Sequence, residues 1–257
     1  MRVWVTLTLV LLTAGSASAQ SAAQDPRPVS RPSPDFLFER PQGTFGIRGS
    51  WVLGRNGSDW YDFVSDQLTI EPKDFNSAGI GLDGGITLTR RIDITIGFDY
   101  GQQTTHSEYR RYVDNNRLPI EQQTLLRSAN ISGGLKFALT ERGRDVGRLA
   151  WVPRKLVPYV GAGAGAMWYQ LRQSGDFVDY VDLSVFPDVF ESEGWTPSVH
   201  VMGGVDVRVL RRAYVSFEAR YLWASGDLGR DWIDFDPIDL SGLRLSAGIN
   251  FIISEMR

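Results

Sequence analysis

The chain reads as an all-β protein, an eight-stranded antiparallel up-and-down transmembrane β-barrel preceded by a signal peptide and a disordered, proline-rich segment. Three observations predict it. From Gly43 onward apolar residues recur at every second position, the period of an extended strand. The links between these alternating stretches run short on one side and long on the other, as in barrels that cross a membrane. The polar face carries Gly, Ser, Asn and isolated charges of both signs, which suits a narrow interior better than it suits the solvated face of a soluble sheet.

The elements follow in order. Arg2 precedes an apolar run at 3–13, and Ala17-Ser18-Ala19 supplies the small residues of a cleavage site, so residues 1–19 are read as a signal peptide. That run falls short of the ~20 apolar residues a helix needs to span a bilayer. Residues 20–42 are read as a periplasmic tail, whose prolines between 25 and 34 block regular pairing. Residues 43–257 are assigned to the barrel. The chain has no Cys, which removes disulfides, thiolate metal sites and a lipoprotein anchor. A net charge of −3 and the lack of any basic-aromatic stripe argue against nucleic acid as a partner.

The first strand sets Phe45, Ile47, Trp51 and Leu53 against Arg48 and Ser50. The second and third, with Ile80, Leu82 and Ile86, then Ile94, Ile96 and Phe98 on their apolar faces, form a hairpin about Arg90-Arg91. The fourth sets Ile131, Leu135 and Phe137 against Asn130, Ser132 and Lys136. The fifth runs over 157–171, with Tyr159, Met167 and Tyr169 on one face and Gly and Ala between. The sixth sets Val199, Val201, Val205 and Val207 against Ser198, His200, Asp206 and Arg208. The seventh, after a turn at 210–212, sets Val215, Phe217, Tyr221 and Trp223 against Ser216, Glu218 and Arg220. The eighth sets Leu243, Leu245, Ile249 and Phe251 against Arg244, Ser246 and Asn250. No helical period stands out after residue 19. Links after the first, third, fifth and seventh strands are expected as long polar loops, and Trp51, Tyr100, Trp168, Tyr169, Trp195, Tyr221 and Trp223 as an aromatic girdle.

Over about residues 43–253, and most clearly in GLDGGITLTRRIDITIGFDY and RLSAGINFII, the chain resembles the small outer-membrane β-barrel proteins of the OmpA/OmpX-like superfamily. The resemblance implies a cell outer membrane location, contact with outer-membrane lipids, and a last strand ending near an aromatic that acts as an assembly signal.

The polar face places Arg48, Asp83, Lys136, Asp206, Arg208, Glu218, Arg220 and Arg244 in the lumen, together with Asp93 and Asp99. Charges confined there must be paired or hydrated. The expectation is a structural salt-bridge network that plugs the barrel, with Glu218 bound to Arg244 or Arg208 and Arg220 bound to Asp206 or another lumen carboxylate such as Asp83. Glu218 and Arg220, two residues apart on one strand, are expected to be too distant for ideal mutual pairing, so that each finds its main partner on a neighbouring strand. The alternative is a small gated channel in which these two residues exchange partners.

Enzyme readings are weak. Ser198, His200 and Asp206 share a face but are spread along a strand. His106-Ser107-Glu108 are adjacent in an expected loop and lack the one-residue spacing on a strand of barrel lipid A deacylases. Neither a catalytic residue, a metal ligand nor a cofactor is assigned. The third long loop, 173–195, carries Asp176, Asp179, Asp182, Asp188, Glu191 and Glu193, and the fourth adds Asp227, Asp231, Asp234, Asp236 and Asp239. They lack the ordered spacing of a calcium loop and read as solvated surface. Arg90, Arg91, Arg142, Arg144, Arg148, Arg154, Lys155, Arg211 and Arg212 make the opposite rim basic, suited to anionic headgroups. The expected protein is a monomer with a structural, adhesive or surface-binding role, its long loops meeting an extracellular ligand or a host cell surface. A lipid-modifying barrel enzyme is the less favoured alternative.

Overall fold

Two-residue alternation becomes a sheet closed on itself. The computed structural model describes residues 37, 40–146 and 150–254. The expected signal peptide and nearly all of the proline-rich tail lie outside the described residues, as does Arg148. Strands β1 (Gly43–Gly54), β2 (Ser77–Thr87), β3 (Ile92–Val113) and β4 (Pro119–Ala138) are followed by a short hairpin, β5 (Gly143–Val146) and β6 (Ala150–Pro153). Then come β7 (Leu156–Val178), β8 (Val185–Leu210), β9 (Ala213–Trp223), a two-residue pair β10 (Ser225–Gly226) and β11 (Ile238–Asp239), and β12 (Gly242–Ile253). The barrel runs β1-β12-β9-β8-β7-β4-β3-β2, antiparallel at every step where register is given. Its seam pairs β1 with β12 from Gly43↔Ile253 to Gly54↔Gly242. Each of the eight strands read from the sequence is a barrel strand, and no sheet edge is left within the closed part.

Outside, the barrel is apolar. Ile47, Ile80, Leu82, Ile96, Leu135 and Phe217 are each more than half exposed, and Phe45, Ile131, Val199, Leu245 and Ile249 join the same belt. A soluble protein does not carry such a continuous apolar girdle, whereas a barrel in lipid requires it. Trp51, Trp195 and Trp223 lie exposed toward one end, with Trp168 beside Trp195 in register. Tyr169, expected in the same girdle, turns inward: it is 2% exposed and its hydroxyl donates to the Asp227 carbonyl. On β7 the apolar parity is reversed, with Tyr159, Met167, Tyr169 and Leu171 inside and Ala162 and Ala164 outside.

Two expected loops are strands. The β3-β4 ladder continues past Gly101↔Ser128 to Glu108↔Glu121, and β7-β8 continues to Val178↔Val185. β2 meets β3 no further out than Gly79↔Gly101, and β9 meets β8 no further out than Val199↔Trp223. Half of the wall, β3-β4-β7-β8, therefore continues beyond the rest as a four-stranded sheet. In water both faces of such an extension can be polar, so the alternation that marks a strand in lipid fades while its backbone ladder persists.

A helix fills the mouth inside that sheet. The β1-β2 link folds into α1 (Asp59–Gln67) and a 3₁₀ turn at Pro72–Phe75. Asp59 and Asp62 lie in the first turn of α1, where carboxylates complement the helix dipole. Trp60 and Val64, four residues apart, and Tyr61 point inward and are at most 1% exposed. They pack with Leu68, Ile70, Phe75, Leu171, Trp232 and Ile238 into an apolar core at the loop end, with Trp60 edge-on to Trp232 at 5.7 Å.

The turn end is covered differently. Hairpin β5-β6 carries Arg142, just before β5, to Asp93 in the barrel, while Leu37 pairs through its backbone with Trp151 on β6. Arg40 holds Asp145 on β5 through Nε, 2.9 Å from Oδ1, and through Nη2.

Candidate functional site

The interior charges are placed by the inward positions of seven strands, every barrel strand but β7. Arg48 on β1 reaches Asp83 on β2 and crosses to Asp99 on β3, with Nη2 2.7 Å from Oδ1. Gly81 allows this: a Cβ there would stand 2.8 Å from Arg48 Nε and 2.9 Å from Asp99 Oδ1. Arg220 on β9 binds the other oxygen of Asp99 at 3.3 Å. Asp99, 3% exposed, thus bridges Arg48, two strands away on β1, and Arg220 on the opposite wall at β9.

Arg220 also binds Glu218 on its own strand, with Nη2 2.8 Å and Nε 3.0 Å from Oε1. This corrects the expectation that the two are too far apart for ideal pairing. Their backbones are separated by nearly 7 Å, but a guanidinium on three methylenes folds back over that distance when an opposing wall crowds it. The expected partners of Glu218, Arg244 or Arg208, are replaced by Arg220 and by Tyr159, whose hydroxyl donates to Oε2 at 2.9 Å. Arg220 pairs with a lumen carboxylate, as expected, but with Asp99 rather than the named Asp206 or Asp83, and with Glu218 as well.

Lower in the barrel Lys136 Nζ binds Asp206 at 2.8 Å and lies 3.6 Å over the Tyr159 ring. Ser216 donates to Asp206 at 3.0 Å, and Asn250 donates to Ser216 at 2.7 Å. Arg208 faces the turn end, with Nη1 3.4 Å from the Pro153 carbonyl. Arg244 is buried, and no ion pair forms to it among the described residues. The remaining space is divided into small cavities: about 50 Å³ around Arg48, Lys136 and Glu218, about 60 Å³ near Arg142 and Arg208, and about 40 Å³ beneath the loop-end core.

The two Ser-His arrangements do not form hydrolytic pairs. Ser198 donates to Asn130 at 2.7 Å, His200 Nδ1 has no partner, and Asp206 is held by Lys136 and Ser216. His106, Ser107 and Glu108 lie on β3 rather than in a loop, with the Ser107 hydroxyl buried and unpartnered. Among the described residues no group of three His, Asp or Glu side chains could hold a metal ion.

Beyond the membrane belt the long hairpins meet. Tyr112 on β3 packs edge-on to Tyr180 between β7 and β8, with ring centres 6.0 Å apart. In the β7-β8 turn Asp179 accepts from Val181 N and Asp182 from Ser184 N. The Ser184 hydrogen bonds hold the Asp182 carboxyl below its ordinary value. Several expected loop acids thus brace turns, while Val181 at 94% and Leu183 at 59% stand exposed between them.

Period two marks which residues point inward but carries no signal of which charges meet. Asp99 as a hub and Tyr159 as a ligand of Glu218 were missed; the inverted parity of β7 was the available sign of the latter. The missed helix had its own sign in the spacing of Trp60, Val64 and Leu68.

An apolar belt on a closed ladder around a polar interior defines a small outer-membrane β-barrel. No family model matches the chain, and no curated protein matches it. Among solved structures it is similar to Neisserial surface protein A (11% identity, 82% of this chain and 97% of that one, TM-score 0.44). It is also similar to Ail, the attachment invasion locus protein of Yersinia pestis (12%, 82% and 99%, 0.44), and to outer membrane protein OprG from Pseudomonas aeruginosa (10%, 85% and 100%, 0.46). Identities this low reach no further than the barrel itself.

Proposed function

We propose that the chain is a monomeric, non-enzymatic surface-binding barrel, in which the membrane part anchors and the hairpins bind. The observation that carries this reading is the tip of β7-β8. Leu183 adopts φ +61°, a left-handed backbone that bulky residues rarely take, and it is exposed beside Val181 and Tyr180. Strain spent on presenting apolar side chains to water fits a contact surface. Asp179, Asp182 and Asp188 surround them, so the fitting partner is apolar with a basic rim. Basic short turns suit anionic inner-leaflet headgroups, which supports a periplasmic turn end with the hairpins outside.

The interior network acts in this reading as a structural plug. Crossed ion pairs, an apolar core over the loop end and a hairpin under the turn end all oppose a small gated channel. Cells producing the chain should attach to host-cell monolayers more than cells producing V181D/L183D, with equal amounts of folded barrel by unboiled gel mobility. Equal attachment would sink the tip assignment. Stable ion-selective steps in planar bilayers would sink the plug and favour the channel.

A further inference from the structure

Arg244 is 7% exposed, and its guanidinium donates no hydrogen bond to any described residue. It lines the cavity of about 40 Å³ between the lumen network and the loop-end core. Three carboxylates lie in this upper lumen, and two other arginines occupy them: Asp83 and Asp99 bind Arg48, and Asp99 and Glu218 bind Arg220. Arg244 therefore makes no contact ion pair; Asp99 attracts it across the lumen, and the like charges of Arg220 and Arg48 oppose that attraction. A buried cation whose nearest attracting carboxylate is already shared by two other arginines is costly unless something else helps to neutralise it.

The other walls of the cavity supply donors. Tyr61 is fully buried and its hydroxyl has no partner among the described residues. Burial pushes its phenol far up, so it stays protonated and remains a donor. Ser77 and Ser128 face each other across Gly101 with hydroxyls that no protein group engages, and Gln103 adds an amide. The one carboxylate on the lining, Asp239, is turned to the Gly57 and Ser241 amides and toward Arg55.

We propose that this cavity is an occluded site for a halide-sized monovalent anion, held by Arg244 and Tyr61 and sealed on the loop side by α1. Donors converge from β12, α1, β2, β3 and β4, and the volume has room for chloride or bromide, which need less space than gluconate. Such an ion binds the folded state only, so it should raise the unfolding midpoint in a saturable way.

The test uses the refolded full chain in detergent. Its unfolding midpoint is measured in sodium chloride, bromide and gluconate at equal ionic strength, and crystals grown in bromide are examined for anomalous scattering. The expected result is a higher midpoint in either halide, loss of that difference in R244M, its reduction in Y61F, and a bromide peak between Arg244 and Tyr61. R244M removes an unpaired charge and should fold; Y61F keeps the charge and reports on the site if it does not. Equal midpoints in halide and gluconate, a halide effect that persists in R244M, or bromide crystals with only water in the cavity would each overturn the proposal.

Discussion

Arg220 bends back two residues along β9 to bind Glu218 at 2.8 Å while its other nitrogen reaches Asp99 across the barrel. One guanidinium thereby ties a strand to itself and to the far wall. Removal of either carboxylate then has a different cost, because Asp99 serves Arg48 as well.

The order of the two effects is the first prediction. Asp99→Asn weakens contacts to two buried arginines and should cost about 3 kcal/mol, less whatever lumen water returns. Glu218→Gln keeps an acceptor for Tyr159 and Arg220 and should cost about 1.5 kcal/mol. Urea unfolding of the two variants in detergent checks this; an equal or reversed order rejects Asp99 as the hub.

Phe217, more than half exposed between Glu218 and Ser216, tests the lipid face. Phe217→Arg puts a charge into hydrocarbon and should cost ~2 to 4 kcal/mol if it sits near the midplane. Folding titrations into lipid vesicles measure it. A silent substitution there is incompatible with the belt.

Trp60 carries the loop-end core. Trp60→Ala removes the largest buried ring of α1 and should cost ~3 to 5 kcal/mol locally. The expected outcome is protease cleavage within residues 55–76 in the variant and resistance in the wild type, with the barrel ladder intact by unboiled gel mobility.

The Arg40-Asp145 clamp gives a pH dependence. The hydrogen bond from Arg40 holds the Asp145 carboxyl below its ordinary value. A depressed pKa means that the clamp contributes fully above the ordinary carboxylate range and is lost as pH falls through the lower, folded value. Proteolysis between residues 37 and 42 should stay slow at neutral pH and rise in acid. Asp145→Asn should remove that pH dependence, since Arg40 then faces a group that does not titrate.

Strand existence and facing were legible because lipid imposes an apolar residue at every second position: Ile92 through Tyr100 and Val199 through Val209 read directly. Outside the bilayer that pressure stops, so the outer halves of β3 and β8 passed for loops. Asp59 to Leu68 is hard to read for a different reason: the nine-residue helix has fewer than three turns in which to show its period. Ion-pair identity was out of reach, since Arg220 could choose among carboxylates on several walls and side-chain length decided.

The four prolonged strands set a mechanical scale. Thirteen residues of β8 separate Ser198 from Val185, which at about 3.3 Å each and a strand tilt near 40° lifts the tip roughly 30 Å above the shorter wall. That height is spanned by backbone ladder and not by slack loop, so it is transmitted stiffly, like a mast stepped in a hull. Lengthening the mast by two residues in both strands would raise its tip by about 5 Å and leave every inward and outward side chain where it was. One residue would turn the faces over. The height of the tip above the shorter wall is thus adjustable in steps of two residues per strand without rebuilding the barrel beneath.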